Sequence, residues 1–212
     1  MKDYKAYIFD LDGTLLNTLD DLAASVNYAL GSMAMPVRTV DEVRRFVGNG
    51  VRKLMERAVP EGTSETTIDE ALSTFRSYYL LHSSDNTRPY DGIMELLREL
   101  KYRGKLIAVV SNKFDAATKE LCSQYFGSYV DVAIGESDTV ARKPSPDGIN
   151  EVLRLLGVSS SESVYIGDSD VDILTAKNSG LPCISVLWGF RDKDFLLANG
   201  ASEFLENPLQ LL

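Results

Sequence analysis

The sequence predicts an α/β fold, a doubly wound parallel sheet with an inserted all-helical domain. Three observations carry that expectation. Short Val/Ile-rich runs without polar alternation recur along the chain, as in parallel strands buried on both faces. Helical patterns closed by a glycine separate the later runs. One long stretch after the first run, residues 16–88, carries helical signals alone.

Strands are expected at 6–9, 106–110, 130–134, 164–166 and 184–187. Helices are expected at 93–102, 116–125, 146–156 and 171–178, closed by Gly104, Gly127, Gly157 and Gly180. In the insert, Thr18 followed by Asp21 fits a capping box that opens a helix running to about Gly31. Residues 39–46, 51–59 and 66–81 supply three more helices. The expected organisation is a core from residues 1–15 and 89–212, with residues 16–88 as a helical cap; an insert placed directly after the first strand suits a lid.

With 22 Lys and Arg against 31 Asp and Glu, the formal net charge is −9, which repels nucleic acid phosphates and anionic membrane surfaces. Neither nucleic acid nor membrane is expected as a partner. A small anionic substrate is compatible with that balance, because a metal ion and a few lysines can invert the field inside one cleft. No apolar run reaches the roughly 20 residues of a membrane span. Cys122 and Cys183 form no CxxC pair and no signal peptide precedes the first strand, so a reducing compartment, the cytosol, is expected. Composition is equally compatible with a monomer and a homodimer.

In an open parallel sheet, ligands bind beyond the carboxyl ends of the strands. After the first strand come Asp10, Asp12 and Gly13; after the second, Ser111, Asn112 and Lys113. After the third come Glu136 and Asp138, then Lys143; after the fourth, Asp168, Asp170 and Asp172. Any one of these loops alone reads as caps and turns. Carboxylates at successive strand ends call for a cation, and an oxygen-only set without His or Cys suits a hard ion, Mg²⁺ by default.

Asp10 and Asp12, two apart in an extended segment, point the same way. One can attack an electrophile while the other handles the leaving-group proton. Gly13 permits close backbone approach to an anion, and Ser111 with Asn112 precedes a helix, where phosphate oxygens bind well. Lys143 would pair with Asp10 and with phosphate. Asp168 suits metal ligation, and Asp172 a supporting role, holding Lys143 or a metal-bound water. The alternating aspartates 168, 170 and 172 do not make an EF-hand, since Ile173 and Ser179 stand where Gly and Glu are required.

The segments DLDGTL, SNK, RKPSPD and GDSDVD, in that order, resemble the four motifs of the haloacid dehalogenase superfamily of phosphohydrolases, in the branch with a helical cap after the first motif. The likeness runs nearly end to end. It implies a Rossmann-like core in which Asp10 is the nucleophile that forms an aspartyl-phosphate and Asp12 the general acid and base. It also implies Mg²⁺ held by Asp10, the backbone carbonyl of Asp12 and Asp168, with Ser111 and Lys143 on the phosphoryl group and Asp172 in support.

Within the superfamily, Asp12 stands where dehalogenases carry Tyr and phosphonate-cleaving relatives carry Ala, and Leu22 stands where phosphosugar mutases tend to carry His. The resemblance therefore implies hydrolysis of a small phosphomonoester. VGNGVRKLMERAV, residues 47–59, is similar to the cap loop of phosphoglycolate phosphatases, which makes Gly48, Asn49, Gly50 and Arg52 candidates for substrate binding. A plain helix connector is an equal reading of the same Gly-Asn-Gly. Phosphoglycolate leads as the expected substrate; pyrophosphatase and phosphosugar phosphatase or mutase activities are the alternatives. A phospho-accepting signalling domain also places an Asp and Mg²⁺ on such a sheet, but it lacks the second Asp and the insert. Asn17 and Asp91 depart from the Asp and Pro common in the family. His82 reads as a surface residue, and Trp188 and Phe190 as packing near the sheet edge.

Overall fold

A computed structural model describes residues 2–48 and 50–212. In chain order, β1 (Ala6–Phe9) is followed by β2 (Leu16–Asn17), then α1 (Leu19–Ser32), α2 (Val40–Phe46), α3 (Gly50–Ala58), α4 (Glu65–His82) and β3 (Arg88–Pro89). The remainder alternates: α5 (Ile93–Tyr102), β4 (Leu106–Phe114), α6 (Asp115–Phe126), β5 (Val132–Glu136), α7 (Asp147–Leu156), β6 (Ser163–Gly167), α8 (Asp170–Ser179), β7 (Cys183–Val186), α9 (Lys193–Ala198) and β8 (Phe204–Leu205). Two compact units result: the residues up to Leu16 together with Pro89–Leu212, and Asn17–Arg88.

The first unit is built on a six-stranded sheet in the order β5-β4-β1-β6-β7-β8, with its paired strands parallel. β1 lies centrally, with Ala6 opposite Leu106 of β4 and Ser163 of β6. The absence of polar alternation now has a cause: successive side chains enter two different cores. Tyr7, Phe9, Ile107, Val109, Val164 and Ile166 pack with Leu96, Leu100, Leu121 and Phe126 from α5 and α6. Ile8, Ala108, Val110 and Tyr165 pack with Ile149 and Val152 of α7 and Ala176 of α8. The charged loops therefore have nowhere to go but the sheet ends.

Some expectations shift. The third strand starts at Val132 because Gly127–Tyr129 forms a 3-10 turn and the Asp131 carboxylate is held by the Ile107 N–H at 2.8 Å and by Lys101. Glu136 thus falls inside β5. The second strand runs on to Phe114 with an irregular register after Val110, so Ser111, Asn112 and Lys113 lie within it. The stretch expected to be wholly helical begins and ends in strand, since β2 pairs with β3. β8 follows the last strand expected and takes the sheet edge.

The second unit has its own core, with Leu22, Val26 and Leu30 of α1 against Leu54 and Met55 of α3 and Leu72 and Phe75 of α4. Its expected opening capping box is absent. Thr18 sits at φ −107°, ψ 5°, outside the extended conformation that a capping side chain needs, and makes no cap bond. Asp21 is used elsewhere: its buried carboxylate accepts the backbone N–H of Asn86 at 2.9 Å, the N–H of Thr87 at 2.8 Å and the Thr87 hydroxyl at 2.8 Å. The start of the insert is thereby tied to its end.

Burial pushes the Asp21 carboxyl up, but the bonds from Asn86 and Thr87 outweigh it and hold the group below its ordinary value. A depressed carboxylate stabilises the fold fully above the unfolded value of about 3.9 and loses that contribution as pH falls through the lower folded value. Asp21→Ala, which orphans several buried donors, should cost about 3 kcal/mol in chemical denaturation at pH 7. The difference from the wild type should shrink below pH ~3.9.

Candidate active site

Lys143 is the best-buried cation of the site. Asn112 holds its segment from both sides, accepting the Lys143 N–H at 2.6 Å and donating Nδ2–H to the Lys143 carbonyl at 3.1 Å. The Asn112 side-chain amide thus serves as a clamp, which leaves the backbone N–H expected on phosphate uncommitted to that task. The ammonium lies 2.8 Å from Asp10 Oδ1, 2.7 Å from Asp172 Oδ1 and 3.0 Å from the Tyr165 hydroxyl. Asp10 Oδ1 also accepts the Leu11 N–H at 2.7 Å.

The other carboxylates are fixed by backbone. Asp172 Oδ2 accepts the N–H groups of Asp168 and Ser169, at 3.2 and 3.1 Å, and the Ser169 hydroxyl at 2.6 Å. Asp168 Oδ2 accepts the Phe190 N–H at 2.7 Å, and the Trp188 indole N–H donates to the Thr14 carbonyl at 2.9 Å. Such packing leaves no room for side chains. A Cβ on Gly13, whose φ is +88°, would lie 2.4 Å from Asp168 Oδ2, and one on Gly189 would lie 2.3 Å from Asp168 Cβ.

Asp12, on the next turn of chain, is different. Its Oδ1 is buried 3.4 Å from Lys113 Nζ and, among the described residues, accepts no hydrogen bond. Ser111 is buried, and its Oγ accepts the Lys113 N–H at 3.2 Å.

Asp10, Asp168 and Asp172 each offer an oxygen within 4.8 Å of the others, all three buried. Burial first, and then the Asp172 charge, push the Asp10 carboxyl well above its ordinary value against the pull of Lys143. The same two causes push Asp168 up to about 7, against the Phe190 N–H and the charges of Lys143 and Arg191. Burial lowers the Lys143 pKa, but Asp10 and Asp172 more than offset it, so the net direction is upward and the ammonium keeps its proton. Oxygen donors that repel one another in a dry place fit a hard divalent cation. Asp172 Oδ1 is bonded to Lys143 and Tyr165 and its Oδ2 to three further donors, whereas Asp168 Oδ1 meets the Thr14 hydroxyl at 3.5 Å, which makes Asp10 and Asp168 the better ligands.

Two carboxylates of the first unit do not join. Glu136 pairs with Arg142 at 3.2 Å, and Asp138 is exposed. Arg52, in the helical unit, is bonded to Glu56, Glu65 and Asp69, so its charge is already balanced by three carboxylates. Gly48 and Gly50 have φ of +118° and +86°, which suits a connector; Asn49 lies outside the described residues. Sequence reasoning gave Tyr165 and Lys113 no role and read Trp188 and Phe190 as packing. The loop after β7 was open to the same strand-end reading that found Asp168.

The model for haloacid dehalogenase-like hydrolases matches residues 7–186. The chain belongs to that family. The phosphoglycolate phosphatase of Mesorhizobium japonicum is 36% identical over 194 residues, covering 88% of this chain and 84% of the relative. That of Aquifex aeolicus is 32% identical over 187 residues, covering 88% and 86%. A crystal structure from Lactobacillus delbrueckii subsp. bulgaricus, of a protein assigned as a phosphoglycolate phosphatase, matches with a TM-score of 0.95 at 35% identity, over 99% of this chain and 97% of that one. This haloacid dehalogenase-like hydrolase is a phosphoric monoester hydrolase acting on small phosphorylated substrates. Among the described residues no helix is long and apolar enough to cross a membrane.

The raised Asp168 carboxyl has a linkage consequence. The native state binds its proton more tightly than the unfolded chain, so ionising Asp168 lowers stability as pH rises from about 3.9 to the folded value of about 7. Without metal, Asp168→Asn should therefore gain stability relative to the wild type across that window, read as a difference in Tm. A pH-independent difference would contradict the assignment.

Proposed function

We propose that this hydrolase cleaves a small phosphomonoester, phosphoglycolate foremost, through an aspartyl-phosphate on Asp10. The observation that carries the mechanism is the Asp10 carboxylate held 2.8 Å from a buried lysine, two residues before a second carboxylate with an unbonded oxygen. Asp10 attacks phosphorus and the P–O ester bond breaks. Asp12 gives a proton to the departing alkoxide, then takes one from the water that attacks the acyl phosphate, which releases inorganic phosphate and regenerates Asp10. Ser111 holds a phosphoryl oxygen, and the Lys143 charge, bonded to Asp10, lies beside the group; positioning with charge neutralisation supplies most of what phosphoryl transfer needs.

Asp10, Asp168 and the backbone carbonyl of Asp12 would hold Mg²⁺, and Asp172 would steady Lys143 beside it. When bound, the ion supplies positive charge to the phosphoryl oxygens. The helical unit acts as the cap that selects the leaving group, with Gly48, Asn49, Gly50 and Arg52 as its candidate residues for that task. Phosphoglycolate is favoured over pyrophosphate and phosphosugars by the names of the relatives at 36% and 32% identity. The cytosol is the compartment in which the reading places the enzyme.

Turnover of p-nitrophenyl phosphate should require Mg²⁺ and stop with EDTA. Asp10→Asn should lower it by roughly three orders of magnitude or more; near-native rates would exclude the covalent route. In a panel of phosphoglycolate, pyrophosphate and hexose phosphates, phosphoglycolate should have the highest kcat/KM, and preference for another member would reassign the substrate.

A further inference from the structure

A lysine ammonium has three N–H donors. In this structure all three have partners: Asp10 Oδ1 at 2.8 Å, Asp172 Oδ1 at 2.7 Å and the Tyr165 hydroxyl at 3.0 Å. The third has no place in the mechanism above. Tyr165 belongs to the central strand β6, fully buried, with its ring among Ile8, Ala108 and Val110. A phenol in such surroundings is unfavourable unless its hydroxyl is bonded, and Phe would fill the same apolar space.

The hydroxyl has one proton and lies 3.0 Å from Asp172 Oδ1 and 3.3 Å from the Val110 carbonyl. Because it accepts from Lys143, that proton goes out to an acceptor, and the Asp172 oxygen at 3.0 Å is nearer than the Val110 carbonyl at 3.3 Å. Lys143 Nζ, Asp172 Oδ1 and the Tyr165 oxygen thus form a closed triangle with sides of 2.7 to 3.0 Å. Each corner restrains the other two. The remaining N–H of Lys143 can only point at Asp10.

We propose that Tyr165 is a positioning residue for phosphoryl transfer: its hydroxyl sets the direction in which Lys143 presents its charge to Asp10 and to the phosphoryl group. The proposal rests on the reading that Asp10 and Lys143 carry the reaction. Without the hydroxyl, one ammonium N–H faces an apolar wall, and the head group turns away from Asp10 to satisfy it. The third partner therefore acts on geometry, since the charge is present either way.

The test uses Tyr165→Phe, Lys143→Met and the double variant, assayed with p-nitrophenyl phosphate and Mg²⁺. Tyr165→Phe should lower kcat roughly tenfold or more, the size of a lost hydrogen bond to a charged group, and leave KM nearly unchanged. In the Lys143→Met background the same change should cost nothing further, because Tyr165 acts through the lysine. Equal losses in both backgrounds would overturn the proposal.

Nitrogen-15 NMR of the lysine ammonium groups gives a readout that packing alone does not move. The signal missing from Lys143→Met should exchange slowly with water in the wild type and faster in Tyr165→Phe. Wild-type exchange as fast as that of surface lysines would overturn the proposal even if Tyr165→Phe failed to fold. Near-native turnover by Lys143→Met would sink the reading of the site itself, whereas an inactive Lys143→Met beside a fully active Tyr165→Phe would remove Tyr165 alone.

Discussion

A buried ammonium bonded to two carboxylates sets the terms for everything built at the strand ends. Desolvating Lys143 is tolerable only because Asp10 and Asp172 lie within 3 Å of it. Yet three buried carboxylates, Asp10, Asp168 and Asp172, surround that one positive charge. The imbalance of two negative charges is what a divalent cation would neutralise, and it is expressed as carboxyl groups that resist ionisation. Asp12 stands apart from this account, with Lys113 as its own counter-charge.

Holding so many like charges together requires elements that do not yield. β1 and β6, paired in register and buried on both faces, deliver Asp10 and Asp168 from adjacent central strands. Backbone N–H groups then fix Asp168 and Asp172, and glycines at 13, 167 and 189 let the chain pass where any side chain would collide with those carboxylates. A site on rigid strands with backbone donors aimed inward has little reorganisation left to do when charge develops.

Most of this frame was legible in the sequence. Apolar runs without alternation mark parallel strands whether or not their neighbours are known, and carboxylates after consecutive strands can be read as convergent because strand ends share one edge. Reading by strand end overreached at Glu136, which a two-residue shift of β5 placed inside the strand. It could not foresee the clamp made by the Asn112 side chain, which depends on what the Lys143 loop does 31 residues later. Thr18 and Asp21 have the spacing of a capping box, and nothing local reveals that Asn86 and Thr87 compete for the carboxylate. Tyr165 was invisible for the same reason: along β6 it is one more apolar residue, and its role exists only in three dimensions.

The stitch made by Asp21 bears on how such enzymes diversify. The insert leaves and re-enters through a paired two-stranded ribbon, and a single carboxylate near its start grips the chain near its end. Its closure is thus settled within the insert itself, so changes in the helices between those points do not have to be transmitted to the strand that carries Asp10. The segment has the properties of an interchangeable cassette. Its interior can vary while the joint that closes it, Asp21 with Asn86 and Thr87, stays the same.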